Sequence, residues 1–362
     1  MFCVKEPREA LEKVFRGERL GREEGVSLYR ADLASLGMAA SAMRRKMHPL
    51  NQVTFVMDRN IYCTNVCVAQ CSFCAFSRDV LSEEAYVLTH EEILEKVRVA
   101  ADAGGTQVLI QGGLNPELGL GYYVELVRKI KKMFPGIHVH SFSPPEIDML
   151  AKREKMTYSE ILSDLKNAGL NSLPGGGAEI LVDRVRSRIS PKKLSADAWI
   201  EVMRCAHGVG LKSTATMVFG HVETPEERIS HLLRIRDLQD ETGGFRAFIC
   251  WTLSPRKTPG LHDLPMAGGW DYLRTVAIAR LMLDNVLHIQ SGWVTEGHRL
   301  AETALEFGAN DMGGVLMEEL VIQPTGIGFQ TAAEDMVRLI RRSGYQPVQR
   351  DTNYAVVKEF DR

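Results

Sequence analysis

Apolar residues recur at three- and four-residue spacing through residues 8–16 and 27–47, which predicts two helices joined by a charged link with glycines at 17–25. From residue 51 onward the pattern alternates. Short strand-like runs give way to turn residues and then to amphipathic stretches of helical period, the signature of βα units around a parallel sheet. Eight such runs are predicted, at 53–61, 107–111, 138–143, 172–174, 213–219, 246–251, 289–293 and 311–315. The helical stretches between and after them fall at 89–103, 120–133, 159–168, 196–209, 225–241, 272–283 and 298–307, several stopping at Gly104, Gly169, Gly210 or Gly308. This pattern predicts an α/β fold: a (β/α)8 TIM-type barrel over 51–317, with an N-terminal helical extension over 1–50. A small C-terminal appendage over 318–362, with a helix at 331–342, is expected to pack on the barrel. The fourth run is weak, so a six-stranded open barrel is the alternative.

Composition narrows the class. Forty-four Lys and Arg against 46 Asp and Glu, with 45% hydrophobic residues, exclude a disordered chain. A net charge of −2 gives no electrostatic reason to expect nucleic acid or an anionic membrane as partner. No apolar run approaches the roughly 20 residues that span a bilayer. The first residues are charged from the fifth onward and have no apolar signal core, so a cytoplasmic location is expected.

Seven cysteines, an odd number, argue against a disulfide framework, and four of them crowd into residues 63–74. Cys67, Cys71 and Cys74 form a C-x3-C-x2-C run just past the first predicted strand, at the end of a barrel where active sites lie. Three thiolates on one loop can hold three irons of a [4Fe–4S] cluster and leave the fourth open. The alternative is a zinc site completed by Cys63, although zinc favours two separated pairs. Cys205 and Cys250 read as small core residues.

The Cys67–Cys74 run, with Phe73 before its last cysteine, resembles the radical S-adenosylmethionine superfamily. The segments Asn65-Val66-Cys67, Phe73-Cys74-Ala75-Phe76, Ser143-Pro144-Pro145-Glu146-Ile147, Pro174-Gly175-Gly176-Gly177-Ala178-Glu179-Ile180, Phe219-Gly220-His221-Val222-Glu223-Thr224 and 238–245 are similar to its futalosine-pathway menaquinone group, and also to the deazaflavin synthase subunits. The resemblance covers about residues 51–317 and implies a [4Fe–4S] cluster, S-adenosyl-L-methionine and a flavodoxin or ferredoxin as electron donor. Gln111-Gly112-Gly113 and the 309–314 segment look most like the cyclising members, which implies dehypoxanthine futalosine as the small-molecule substrate. The chemistry so implied is a 5′-deoxyadenosyl radical that removes the ribose C4′ hydrogen. Cys63 departs from the family pattern and is expected to pack at the strand end.

The remaining candidates follow from position at the barrel mouth. Gln111, Gly112 and Gly113 end the second run, and glycines there let a backbone approach a ligand. Gly175, Gly176, Gly177 and Glu179 end the fourth, with Glu179 a candidate for ribose hydroxyls or an ammonium. These seven are the expected cofactor-binding set. His221 and Glu223 follow the fifth run as candidates for proton movement near neutral pH. Ser143, Glu146, Asn310 and Asp311 are candidate substrate contacts. His138 and His140 point to one side of their strand and are expected in an interior polar layer.

Overall fold

The computed structural model describes residues 6–361, so Cys3 lies outside the described residues. The first predicted strand bends at Met57 into β1 (Gln52–Val56) and β2 (Asp58–Tyr62). From β2 the parallel sheet continues through β3 (Gln107–Gln111), β4 (His138–Ser141), β5 (Ser172–Leu173), β6 (Lys212–Phe219), β7 (Phe245–Thr252), β8 (His288–Gln290) and β9 (Asp311–Gly314). β9 then lies against β1, and Val315 and Met317 donate to the carbonyls of Val56 and Asp58. The sheet therefore curls until its last unit meets the run that began it, the α/β architecture of a TIM-type barrel. The weak fourth run is a two-residue strand, β5, and it still pairs with both neighbours.

Helices cover the sheet. The N-terminal extension holds α1 (Pro7–Arg16), α2 (Arg22–Ser27) and α3 (Leu33–Met47). The predicted 27–47 helix is broken because Asp32 turns the chain and caps α3, accepting from Ser35 N at 2.8 Å. Next come α4 (His90–Asp102), α5 (Leu120–Met133), α6 (Pro144–Glu154), α7 (Tyr158–Ala168), α8 (Asp183–Ile189), α9 (Ala196–Gly208) and α10 (Pro225–Thr242). The set closes with α11 (Gly269–Met282), α12 (Trp293–Glu296), α13 (His298–Leu305) and α14 (Ala333–Arg342). Four of these, α2, α6, α8 and α12, have no counterpart among the predicted helices. Pro144 and Pro145 look like a helix stop, yet they occupy the first turn of α6, where a missing N–H costs nothing.

Beyond the barrel, β10 (Gln346–Arg350) pairs in parallel with β1, and β11 (Val356–Glu359) runs antiparallel to β10. β1 thus carries β9 on one edge and β10 on the other. The side chain of Arg350 reaches under the sheet to Asp311, at 2.5 Å (Nε–Oδ2) and 2.9 Å (Nη2–Oδ1). Thr54 Oγ1 donates to the same carboxylate at 2.5 Å, and Gly313 N at 2.7 Å. Burial opposes a charged Arg350, but Asp311 outweighs it and the guanidinium is held above its ordinary range. Asp311 is fully buried, so removing its partner strands a charge. Arg350→Met should lower unfolding stability by about 3–5 kcal/mol, and Asp311→Leu added to it should restore much of that, as read by denaturant titration.

Candidate functional site

The cysteine loop leaves β2 directly and is pinned from three sides. Val68 N donates to Leu114 O after β3 (3.0 Å), Ser72 N and Oγ both to Ile189 O at the end of α8 (2.9 and 3.0 Å), and Gly260 N to Ser72 O (2.8 Å). Cys67 N is held by Arg78 O, whose own guanidinium Nη1 donates to the carbonyls of Ala75, Phe76 and Ser77. Cys67, Cys71 and Cys74 all open into one chamber of about 280 Å³. Burial pushes the Cys71 thiol up to about 11. Such a thiol gives up its proton only against a strong positive centre, as a metal cluster provides.

Cys63 does not join them. It is buried at the end of β2 with its Sγ 3.5 Å from Gln111 O, and burial pushes it up to about 12. Among the described residues no three His, Cys, Asp or Glu side chains converge as a single metal ion requires. A four-thiolate zinc site with Cys63 is therefore not assembled. A cube of four irons needs no such convergence, since each thiolate meets its own iron.

Of the expected cofactor set, Gln111, Gly112, Gly113, Gly176, Gly177 and Glu179 line this chamber, whereas Gly175 does not. A Cβ on Gly175 would meet the β6 backbone at Thr214 O (2.7 Å) and Ala215 Cα (2.8 Å). Gly113 faces Val66 O, 2.1 Å from where a Cβ would stand, so this glycine lets β3 pack against the cysteine loop. A Cβ on Gly176 would meet side chains of the chamber rather than backbone, Gln111 Nε2 at 2.9 Å and Ser143 Cβ at 3.2 Å.

Glu179 is buried in a left-handed conformation (φ +41°), between Lys193 Nζ at 2.8 Å and Arg186 Nη1 at 3.4 Å. Burial disfavours its charge, but Lys193 and then Arg186 outweigh burial and hold the carboxyl below its usual range. Lys193 lines the chamber, lies 5.2 Å from the centroid of the Phe73 ring and acts on the Cys71 thiol. Sequence reasoning missed it, because a lysine pair in a loop after a short helix carries no periodic signal.

Ser143 and Glu146 also line the chamber, where they form the capping box of α6: Glu146 Oε2 accepts from Ser143 N (2.7 Å) and Oγ (2.6 Å). Burial raises Glu146 to about 7 against these hydrogen bonds. A second chamber of about 300 Å³ fills the barrel interior and shares with the first a boundary that includes Tyr62, Gln111, Gly176, Trp251, Val321 and Ile322.

Four candidates stand apart. His221 and Glu223 line neither chamber, and each side chain is only 1% exposed. Gly220 (φ +83°) turns the chain so that His221 folds back, with Nε2 2.9 Å from Val218 O and Nδ1 2.9 Å from Glu223 Oε2. Glu223 in turn accepts from Gly220 N and Arg228, and Arg228 continues to Asp271. The pair fixes the loop after β6. Asn310 and Asp311 lie at the opposite, N-terminal end of β9. Asn310 takes Arg280 Nη2 at 2.7 Å and the Ile289 amide at 3.0 Å, and Asp311 is engaged by Arg350. His138 and His140 do form an interior polar layer, both against Ser172 Oγ at 2.7 Å.

Comparison with known proteins agrees with this geometry. The profile of the Radical SAM superfamily matches residues 61–235, and that of the CofH/MqnC C-terminal region matches 242–361. A cyclic dehypoxanthine futalosine synthase of Halalkalibacterium halodurans is 44% identical over 97% of this chain and 95% of its own length. The chain belongs to the radical SAM superfamily. A 5-amino-6-(D-ribitylamino)uracil–L-tyrosine 4-hydroxyphenyl transferase of Methanopyrus kandleri is 42% identical over 85% of each chain. An aminodeoxyfutalosine synthase of Thermus thermophilus is 38% identical over 100% of this chain and 99% of its own. The fold matches crystalline methylornithine synthase with a TM-score of 0.73 at 22% identity, covering 93% of this chain and 97% of that one. Radical SAM membership implies a [4Fe–4S] cluster and S-adenosylmethionine, and no helix among the described residues is long and apolar enough to cross a membrane.

The ligand assignment is open to direct measurement. Anaerobically reconstituted protein should carry about four irons per chain. Alanine at Cys67, Cys71 or Cys74 should each abolish the cluster absorbance, while Cys63→Ala keeps it. Iron loss in the Cys63 variant would break the assignment.

Proposed function

We propose that this radical SAM enzyme cyclises dehypoxanthine futalosine, with Cys67, Cys71 and Cys74 each holding one iron of a [4Fe–4S] cluster. The observation that carries the reading is the three-thiol chamber opening into the barrel interior, in a chain 44% identical to a cyclic dehypoxanthine futalosine synthase. When bound, the cluster and S-adenosylmethionine supply a 5′-deoxyadenosyl radical for hydrogen abstraction at ribose C4′, on reduction by a cytoplasmic flavodoxin or ferredoxin.

The residues of the chain divide the work. Gln111, Gly112, Gly113, Gly176 and Gly177 form the wall against which the adenosyl cofactor rests, and Glu179 with Lys193 sets the charge beside the cysteines. Trp251, Val321 and Ile322 line both chambers and keep water from the space between them. Restoring aromaticity after ring closure releases a proton together with one electron, which passes to a one-electron acceptor. Glu146 is suited to accept the proton, because it lines the chamber and its proton affinity matches neutral pH. His221 and Glu223, held away from both chambers, act by fixing the loop.

Anaerobic turnover with dithionite, S-adenosylmethionine and dehypoxanthine futalosine should give cyclised product and 5′-deoxyadenosine in equal amounts. Incorporation of the adenosyl group into product would assign the chain to the aminodeoxyfutalosine type, and transfer from tyrosine to the hydroxyphenyl transferase type. Glu146 is raised to about 7, so it gains its accepting, ionised form as pH rises through that value. Cyclisation by the native enzyme should climb across pH 6–8, and Glu146→Gln should flatten that limb while still cleaving the cofactor.

A further inference from the structure

Arg246 enters the inner chamber from the start of β7. Its Nη1 donates to Asn353 Oδ1 at 3.0 Å, but Nε and Nη2 are shut off from solvent with no hydrogen-bond partner. Among the described residues it makes no ion pair. Each neighbouring charge that could serve is engaged elsewhere. Asp311 is bound bidentately by Arg350, and Asp58, across the chamber, accepts from Leu316 N (2.9 Å) and Gln107 Nε2 (3.2 Å). Asp351 is turned to its own loop, accepting from Asn353 N and Ala355 N.

A guanidinium with two donors idle in a closed space is costly in the empty protein, and the fold keeps it. Burial lowers Arg246 only to about 10, so the cation persists at neutral pH. Above it the same chamber is walled by flat and apolar side chains, Ile249, Trp251, Trp293 and Met312 among them. Arg246 thus brings to this chamber a planar guanidinium with Nε and Nη2 unpaired, whose chemistry beside those apolar walls is complementary to a carboxylate on an aromatic ring.

We propose that Arg246 anchors an aromatic carboxylate at the floor of the inner chamber, so that the substrate stands with its ring end down and its reacting sugar at the junction with the cysteine chamber. The proposal rests on the cyclase reading for the identity of the substrate, though not for the existence of the anion site. The anchor sets reach: it fixes which carbon stands at Gln111 and Gly176, where the two chambers meet.

The test uses the anaerobically reconstituted holoenzyme and two small probes, 3-methylbenzoate and its neutral isostere 3-methylbenzamide, read by ligand-observed NMR. Native protein should bind the benzoate at least tenfold more tightly than the amide. Arg246→Gln should erase that preference, and Arg246→Lys should keep part of it. The ligand-free Arg246→Gln protein should melt no lower than the native one, because it loses an uncompensated cation; a substantial fall would mark Arg246 as a structural strut to Asn353 and overturn the proposal. Equal benzoate binding in native and Arg246→Gln protein would also overturn it. Turnover separates the two readings. If no cyclised product forms yet benzoate binding still needs Arg246, the anion site stands and the cyclase assignment falls. If Arg246→Gln cyclises dehypoxanthine futalosine at native KM, the assignment stands and the anchor falls; a KM raised tenfold or more with a smaller change in kcat supports both.

Discussion

A curled parallel sheet must satisfy the edges of its first strand, and here the 52–62 run does so by bending once. Before Met57 its hydrogen bonds go to β9 and β10; after Met57 they go to β3 and to the chain that follows β9. Both working ends of the molecule hang on that bend. Upward, β2 delivers the chain straight into the cysteine loop. Downward, β1 splays from β3 far enough for β10 to pair beside it, which carries Arg350, Thr352 and Tyr354 into the barrel interior. A straight first strand would place the same cysteines but leave the floor without Arg350.

The charges inside the barrel show how the fold tolerates ionised groups where water is scarce. Glu179 is matched by Lys193 and Arg186, Asp311 by Arg350, and Glu223 by Arg228, which also takes Asp271. Each removal would leave a buried charge exposed to its own desolvation cost of several kcal/mol, so the pairs are self-enforcing whether or not they add net stability. Arg246 breaks that pattern.

Much of the architecture was legible because the barrel repeats one signal. Periodicity of two, then a turn, then periodicity of 3.6 located seven further strands after the first run, and the cysteine spacing located the chamber. What escaped did so for identifiable reasons. Pro144-Pro145 reads locally as a helix stop, although the first turn of α6 is where proline is tolerated. Met57 is an ordinary residue in an unbroken apolar run, so the bend has no local signature. His221 and Glu223 were read from strand alternation, yet Gly220 at φ +83° ends the extended segment one residue earlier and reverses their direction. Asn310 and Asp311 were assigned to the correct strand but to its wrong end, because a four-residue strand gives no sense of depth.

The junction between the chambers shows why a glycine run is needed there and which glycine matters most. Gly175 is confined by the β6 backbone and Gly177 by Pro145 together with its left-handed φ of +73°, so both are fixed by packing. Gly176 is different: the nearest atoms to a side chain there are Gln111 Nε2 and Ser143 Cβ, both residues that line the cysteine chamber. Its carbonyl is meanwhile held by Trp199 Nε1 at 3.2 Å, so the backbone cannot retreat to make room. Any side chain at 176 would therefore narrow the opening that joins the chambers and leave the packing of β5 largely untouched. Transfer of a hydrogen atom demands that donor and acceptor carbons approach to about 3–3.5 Å. Gly176 is the glycine whose missing side chain borders the junction across which such an approach would have to be made.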